Sequence, residues 1–123
     1  MRYKIAKDVK EKVDKLIDKL KMMHIDKKRV YCIRSFGAKT SAIARIWGMG
    51  RLFAEVCGIQ PCYIIEVNAK RFDKLSERDK IKTLIHELLH IPKTFSGALL
   101  SHRGRYHRIN NKMIENILKK SKI

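Results

Sequence analysis

Residues 86 to 90 read His86-Glu87-Leu88-Leu89-His90, a run that makes chemical sense on one kind of secondary structure only. On a helix, positions i and i+4 lie one above the other, so His86 and His90 present their imidazoles to one point while Glu87 stands beside them. That is the arrangement of zinc proteases. Two neutral imidazoles hold Zn2+, a third protein ligand arrives from further along the chain, and the fourth position is left to a water that Glu87 deprotonates. The expected assignment is therefore His86 and His90 as metal ligands and Glu87 as the catalytic base.

A five-residue pattern with three fixed positions arises by chance, so its surroundings carry the argument. Thr83, Leu84, Ile85, Leu88, Leu89 and Ile91 are apolar or nearly so, which places the motif on a helix packed into a core. Pro92 follows two residues after His90, and Ser96-Gly97 supplies a turn, so the chain leaves the helix and can return toward the metal. Four of the five histidines fall between His86 and His107. A helix with two incidental histidines would leave a carboxylate and two imidazoles in apolar surroundings for no reason.

The remaining pattern predicts α+β. Apolar residues from Ile5 through Val9, Val13, Leu16, Ile17 and Leu20 to Met23 recur at three- and four-residue steps, predicting an amphipathic helix from Ala6 to about Met23. His24 at its end is read as a partner of the helix dipole, not a ligand. Arg29 to Ser35 and Ala42 to Trp47 read as strands, and Cys62 to Val67 as the clearest strand of all. Arg51 to Cys57 is open between a short helix and a strand, and Asn68 to Lys74 between an irregular and a short helical link. Ser76 caps the motif helix, which runs to about His90, and a last helix extends from about Tyr106 to Lys120. The expected architecture is one domain over residues 1–123, in which a small mixed sheet packs on the N-terminal helix and the motif helix. This is the order of a minimal zincin core, whose edge strand passes the metal and can pair with an extended substrate backbone. Ser41 to Gly50 is the candidate edge, with its glycines read as turn residues.

Three downstream residues can complete the ligand set: His102, His107 and Glu115. Spacing from His90 does not choose among them, and glutamate is a recognised third ligand. Here the chain resembles a family. The segments CIRSFGAKTSAIARIWGMGRLF, CYIIEV and RFDKLSERDKIKTLIHELLHIPKTFSG are similar to those of compact archaeal metallopeptidases, with HELLHIP as the specific part. That resemblance implies the zincin-like fold and the metal, and leaves the substrate open. A looser similarity to SprT-like metalloproteases rests on a histidine followed four residues later by an aromatic and then an apolar residue, the spacing of His102, Tyr106 and Ile109. It implies His102 as third ligand, with His107 and Glu115 as alternatives, and Tyr106 as a packing aromatic able to donate to an oxyanion. No cysteine-rich zinc finger follows, so DNA-crosslink repair does not carry over.

Charge adds one more constraint. The 123 residues hold 29 Lys and Arg against 12 Asp and Glu, a net +17, and after Glu87 the only acidic residue is Glu115. A field of that sign draws polyanions, so nucleic acid near the basic C-terminal third is a candidate partner beside a peptide or protein substrate. A Lys- and Ile-rich surface of this kind also suits a thermophile. Cys32, Cys57 and Cys62 form no CxxC pair and are read as small buried apolar residues. No run is long enough to span a bilayer and no signal-type segment is visible, which predicts a cytoplasmic protein.

The leading expectation is a zinc peptidase. Its first rival is a nucleic-acid- or ribosome-associated module with a structural zinc, in which four protein ligands would close the site and Glu87 would have no task. A weaker rival is a toxin-like or phage-derived metal hydrolase acting on a non-peptide bond.

Overall fold

The computed structural model describes residues 2–101 and 109–122. Helix α1 (Lys7–Lys19) turns Val9, Val13, Leu16 and Ile17 inward, and all four are buried. After a short 3₁₀ turn (Lys27–Arg29) the chain enters β2 (Val30–Phe36), then β3 (Ala44–Gly48) and α2 (Arg51–Cys57). Strand β4 (Tyr63–Asn68) runs into the single turn α3 (Ala69–Phe72), the motif helix α4 (Glu77–Leu88) and finally α5 (Asn111–Ser121).

An N-terminal strand, β1 (Arg2–Ile5), completes a mixed sheet of order β1-β2-β4-β3. The pairs β1–β2 and β3–β4 are antiparallel, and β2–β4 is parallel. Strand β4 is thus central and β3 is an edge, as its sequence led us to expect. On β4 the odd positions Tyr63, Ile65 and Val67 are fully buried against the helices. They join Val9, Val13, Leu84, Ile85, Leu88 and Leu118 in one hydrophobic core. Burial at this period of two on the strand and of three to four on the helices is the main driving force that seats α1 and α4 on the same face of the sheet.

Arg34 ties three elements together at the edge of that core. Its guanidinium bonds both oxygens of Asp8 on α1, at 2.6 and 2.7 Å, and the Asp73 carboxylate after α3 at 2.8 Å. The hydrogen bonds from Arg34 hold the Asp8 carboxyl down at about 2.

Several local expectations are corrected. Strand β1 was hidden because all four of its residues are exposed, so it lacks the one-sided alternation of a half-buried strand. Ile5 and Met23, read as part of the helix's apolar face, lie outside α1 and are 86% and 91% exposed. The helix ends at Lys19, and Lys21 turns the chain with φ 53°. Arg51–Cys57 is a helix closed by Gly58 in the left-handed conformation. The last helix begins at Asn111, not Tyr106: Asn110 is extended and its side chain accepts from the Met113 N–H, a standard N-cap. Cys32 is buried, with its thiol pushed up to about 12 by burial, but Cys57 is exposed.

Candidate active site

Helix α4 starts where the sequence placed it. The Ser76 side chain accepts from the Asp79 N–H at 3.2 Å, satisfying one of the first-turn donors. Three turns later Leu84, Ile85 and Leu88 are fully buried, which locks the rotation of the helix and turns His86, Glu87 and His90 to the opposite side. The helix then tightens: the His90 and Ile91 N–H groups bond the carbonyls three residues back, Glu87 and Leu88, at 3.1 Å. His90 therefore sits on the closing 3₁₀-type turn, one residue beyond the α-helical C-cap Leu89.

The ligand-capable atoms of His86, Glu87 and His90 all lie within 4.8 Å of one another. The two imidazoles meet edge-on, 5.2 Å between centroids at 65°. Glu87 is 6% exposed, and its Oε2 is buried with no hydrogen-bond partner among the described residues. Burial pushes its carboxyl up to about 7. A buried carboxylate oxygen left orphaned beside two convergent imidazoles is costly in an empty core and has a use beside a cation. The donor set of two nitrogens and a neighbouring carboxylate fits a divalent metal of zinc's type.

His90 is held from outside the helix. The Leu100 N–H donates to the His90 carbonyl at 2.8 Å, and the imidazole Nδ1 meets the Leu100 carbonyl. A carbonyl can only accept, so Nδ1 carries the proton and Nε2 keeps the lone pair for a metal.

The segment that supplies Leu100 is itself anchored on the central strand. The buried Tyr63 hydroxyl accepts from the Gly97 N–H and donates to the Ala98 carbonyl, both at 2.8 Å. Phe95 packs edge-on against the Tyr63 ring at 5.0 Å. Close contact with β3 fixes the other side: a Cβ on Gly97 would lie 2.1 Å from the Met49 carbonyl oxygen, and one on Gly48 2.1 Å from that of Gly97. The Tyr63 clamp escaped the sequence reading, as did the close approach of Gly48 and Gly97, which it took as turn residues only. A tyrosine at an inward position of the clearest strand was the available signal, because its hydroxyl must find a partner once buried.

His86, Glu87 and His90 form the floor of a cleft of about 1040 Å³. Ser41 to Ile46 make one wall, Leu99 to Ser101 and Asn110, Asn111 and Ile114 others, and Asp79 and Thr83 extend the floor along α4. The edge strand thus runs beside the triad. Of the three candidates for a further ligand, His102 and His107 lie outside the described residues, as does Tyr106. Glu115 lies on α5 with its carboxylate bound by Arg78 at 2.7 Å and Lys82 at 2.8 Å, and it does not belong to the convergent group. Those two cations, bonding it directly, hold its carboxyl below the ordinary range, Lys82 more than Arg78.

Residues 1–116 match the model of the family described as "Putative phage metallopeptidase". The chain belongs to that family. The match spans every element of the fold except the end of α5, including the whole triad. It carries the metallopeptidase part of the resemblance, and the convergent group supplies a place for the metal such a family implies. Archaeal origin and likeness to SprT-like proteases have no counterpart in the family's description. No curated protein and no solved structure matches the chain. Among the described residues no helix is long and apolar enough to cross a membrane.

Proposed function

We propose that this metallopeptidase is zinc-dependent and works through the His86, Glu87 and His90 group. The observation that carries the reading is the buried, partnerless Glu87 oxygen beside two convergent imidazoles on the floor of a cleft bordered by an edge strand. His86 and His90 would hold the metal through ring nitrogens, with His102 as the third ligand that the resemblance to SprT-like metalloproteases implies and His107 and Glu115 as alternatives. Zinc bound there supplies Lewis acidity, polarising a carbonyl and making a water acidic near neutral pH.

The chain's own residues do the remaining work. An extended peptide lies along the free edge of β3, so that its backbone is oriented by main-chain hydrogen bonds. Glu87 takes the proton of the attacking water and passes it to the leaving amine, a task suited to a carboxyl whose affinity for protons burial has already raised. His90, fixed as the Nδ1–H tautomer by Leu100, keeps its donor nitrogen aimed into the cleft.

Glu87→Gln tests the assignment, because it removes the base and keeps the shape. The variant should bind one equivalent of zinc by elemental analysis and cleave an unstructured protein such as casein at least 100-fold more slowly. Undiminished cleavage would remove Glu87 from the reaction. A site with four protein ligands, the structural-zinc reading, has no need of a base, and the retained Glu87 argues against it.

A further inference from the structure

At a net charge of +17 a basic side chain is within reach of almost every acidic one, and nine of the twelve Asp and Glu are ion-paired to Lys or Arg. Among the described residues the three without such a pair are Glu11, Asp79 and Glu87. Asp79 and Glu87 both stand on α4 and line the cleft. Glu87 has a task in the peptidase reading. Asp79 has none there.

The cations nearest Asp79 in the chain are each committed elsewhere. Arg78 and Lys82 bind the Glu115 carboxylate at 2.7 and 2.8 Å, and Lys80 lies 3.5 Å from Glu77. Arg45, on the edge-strand wall, turns its guanidinium to Glu66, its cross-strand partner on the face of the sheet away from α4. The helix does not use the Asp79 carboxylate as a cap either. The Ser76 side chain accepts from the Asp79 N–H, but among the described residues no bond runs from the Ser76 N–H back to the Asp79 side chain, as a capping box requires. Its remaining local role is a first-turn interaction with the helix dipole, which Glu77 supplies as well.

We propose that Asp79 is a specificity residue, which binds a Lys or Arg side chain of the peptide substrate about three residues from the cleaved bond. The inference rests on the peptidase reading of the His86, Glu87 and His90 group. Asp79 stands seven residues before His86, two turns back on the same face of α4 and roughly 10 Å away along its axis. An extended peptide covers that length in about three residues. Leu75 lines the cleft one turn before Asp79, and Ile43, 37% exposed, lines it from the edge-strand side. Such walls suit the methylene stem of a basic side chain, whose charged head then meets the carboxylate. The excess positive charge of the whole chain does not forbid this, because salt screens charges beyond about 8 Å and leaves the contact pair to decide the subsite.

The test uses the zinc-loaded full-length chain and short capped peptides of Ala and Leu that carry one lysine, or its neutral isostere norleucine, at each position in turn. Mass spectrometry of the products should show the cut following the lysine along the peptide at a constant separation of about three residues. At the best position the lysine peptide should be cut with a KM roughly 3- to 10-fold below that of its norleucine twin, the range between an exposed ion pair and a charge-assisted hydrogen bond. Asp79→Asn should close that gap, and Asp79→Lys should turn the preference to a glutamate peptide. A purely structural Asp79 would instead slow both twins alike and leave their ratio as it was, which would overturn the proposal. So would cuts placed without regard to the lysine, or a lysine preference that Asp79→Asn retains. If the parent cuts none of the peptides, the peptidase reading fails, and binding decides the role of Asp79 separately. Zinc-loaded Glu87→Gln should then bind the labelled lysine peptide more tightly than its norleucine twin by fluorescence anisotropy, a difference lost in the double variant with Asp79→Asn, and equal binding of the twins would overturn this inference.

Discussion

His90 and Leu100 are joined by two hydrogen bonds that run in opposite directions, one from the Leu100 N–H to the His90 carbonyl and one from the His90 ring to the Leu100 carbonyl. The pair fixes both the end of α4 and the tautomer of its last histidine. In the metal-free protein at pH 8, nitrogen-15 correlation spectra should therefore find the His90 proton on Nδ1. Leu100→Pro removes the N–H bonded to the His90 carbonyl but keeps the carbonyl that the His90 ring meets, so it should loosen that partner and lower zinc affinity by less than the roughly 10- to 100-fold cost of losing an outer partner outright. A proton on Nε2 in the parent would show that Leu100 does not set the tautomer.

The buried Glu87 carboxyl predicts a pH dependence of the metal-free protein. Its ordinary value is 4.5 and burial raises it to about 7 in the fold. Below pH 4.5 it is protonated in folded and unfolded chains alike and costs nothing. As pH rises through 7 the fold must hold an unpaired buried charge, and stability falls by an amount on the order of 3 kcal/mol. Urea melts of the parent and Glu87→Gln in chelator should thus diverge between pH 4.5 and 7, with the variant the more stable at pH 8. Parallel curves across that range would contradict the burial argument. Asp8 acts in a separate window, because its lowered carboxyl loses stability only as pH falls from 3.8 toward 2.

Gly97 meets two constraints at once, a φ of 91° and the 2.1 Å approach of the Met49 carbonyl oxygen. Alanine there requires a strained backbone and a displaced strand end. Gly97→Ala should lower unfolding free energy by about 2 to 4 kcal/mol. Gly58, with φ 67° and open space around its Cβ position, is the control: Gly58→Ala carries the conformational strain alone, about 1 kcal/mol. Chemical denaturation of the two variants separates the close contact from the φ requirement. Equal losses would mean that the Gly97 contact relaxes freely.

The convergence of His86, Glu87 and His90 and the capped helix were legible because local rules govern them: i and i+4 share a face, and serine before a helix accepts from its third N–H. The same holds for α1 and strand β2, whose periodicity reflects one buried side, while β3 and β4 were legible as β-branched and aromatic runs bounded by glycine or proline. Strand β1 was not legible, since an edge with every residue exposed leaves no pattern. The Tyr63 clamp was not legible for a different reason. It joins residues 34 and 35 positions apart, and no local rule pairs a strand tyrosine with a distant loop.

Tyr63 links the core to the His86, Glu87 and His90 group, and its hydroxyl can be removed without touching either. The ring fills a fully buried site against Phe95, so Tyr63→Phe keeps the packing. What it loses is the acceptor for the Gly97 N–H, a buried group left without a replacement partner, and the donor to the carbonyl of Ala98, an exposed residue that can turn to water. The expected cost is about 1 to 3 kcal/mol of stability. The 95–101 segment should loosen first, because Leu100 holds His90 from its far end, and amide exchange at Gly97 and Leu100 should accelerate before that of α1. Zinc affinity should fall with it while α4 stays helical. Faster exchange at Gly97 with unchanged zinc affinity would confine the clamp to stability, and unchanged exchange would mean that the hydroxyl bonds do not hold the segment.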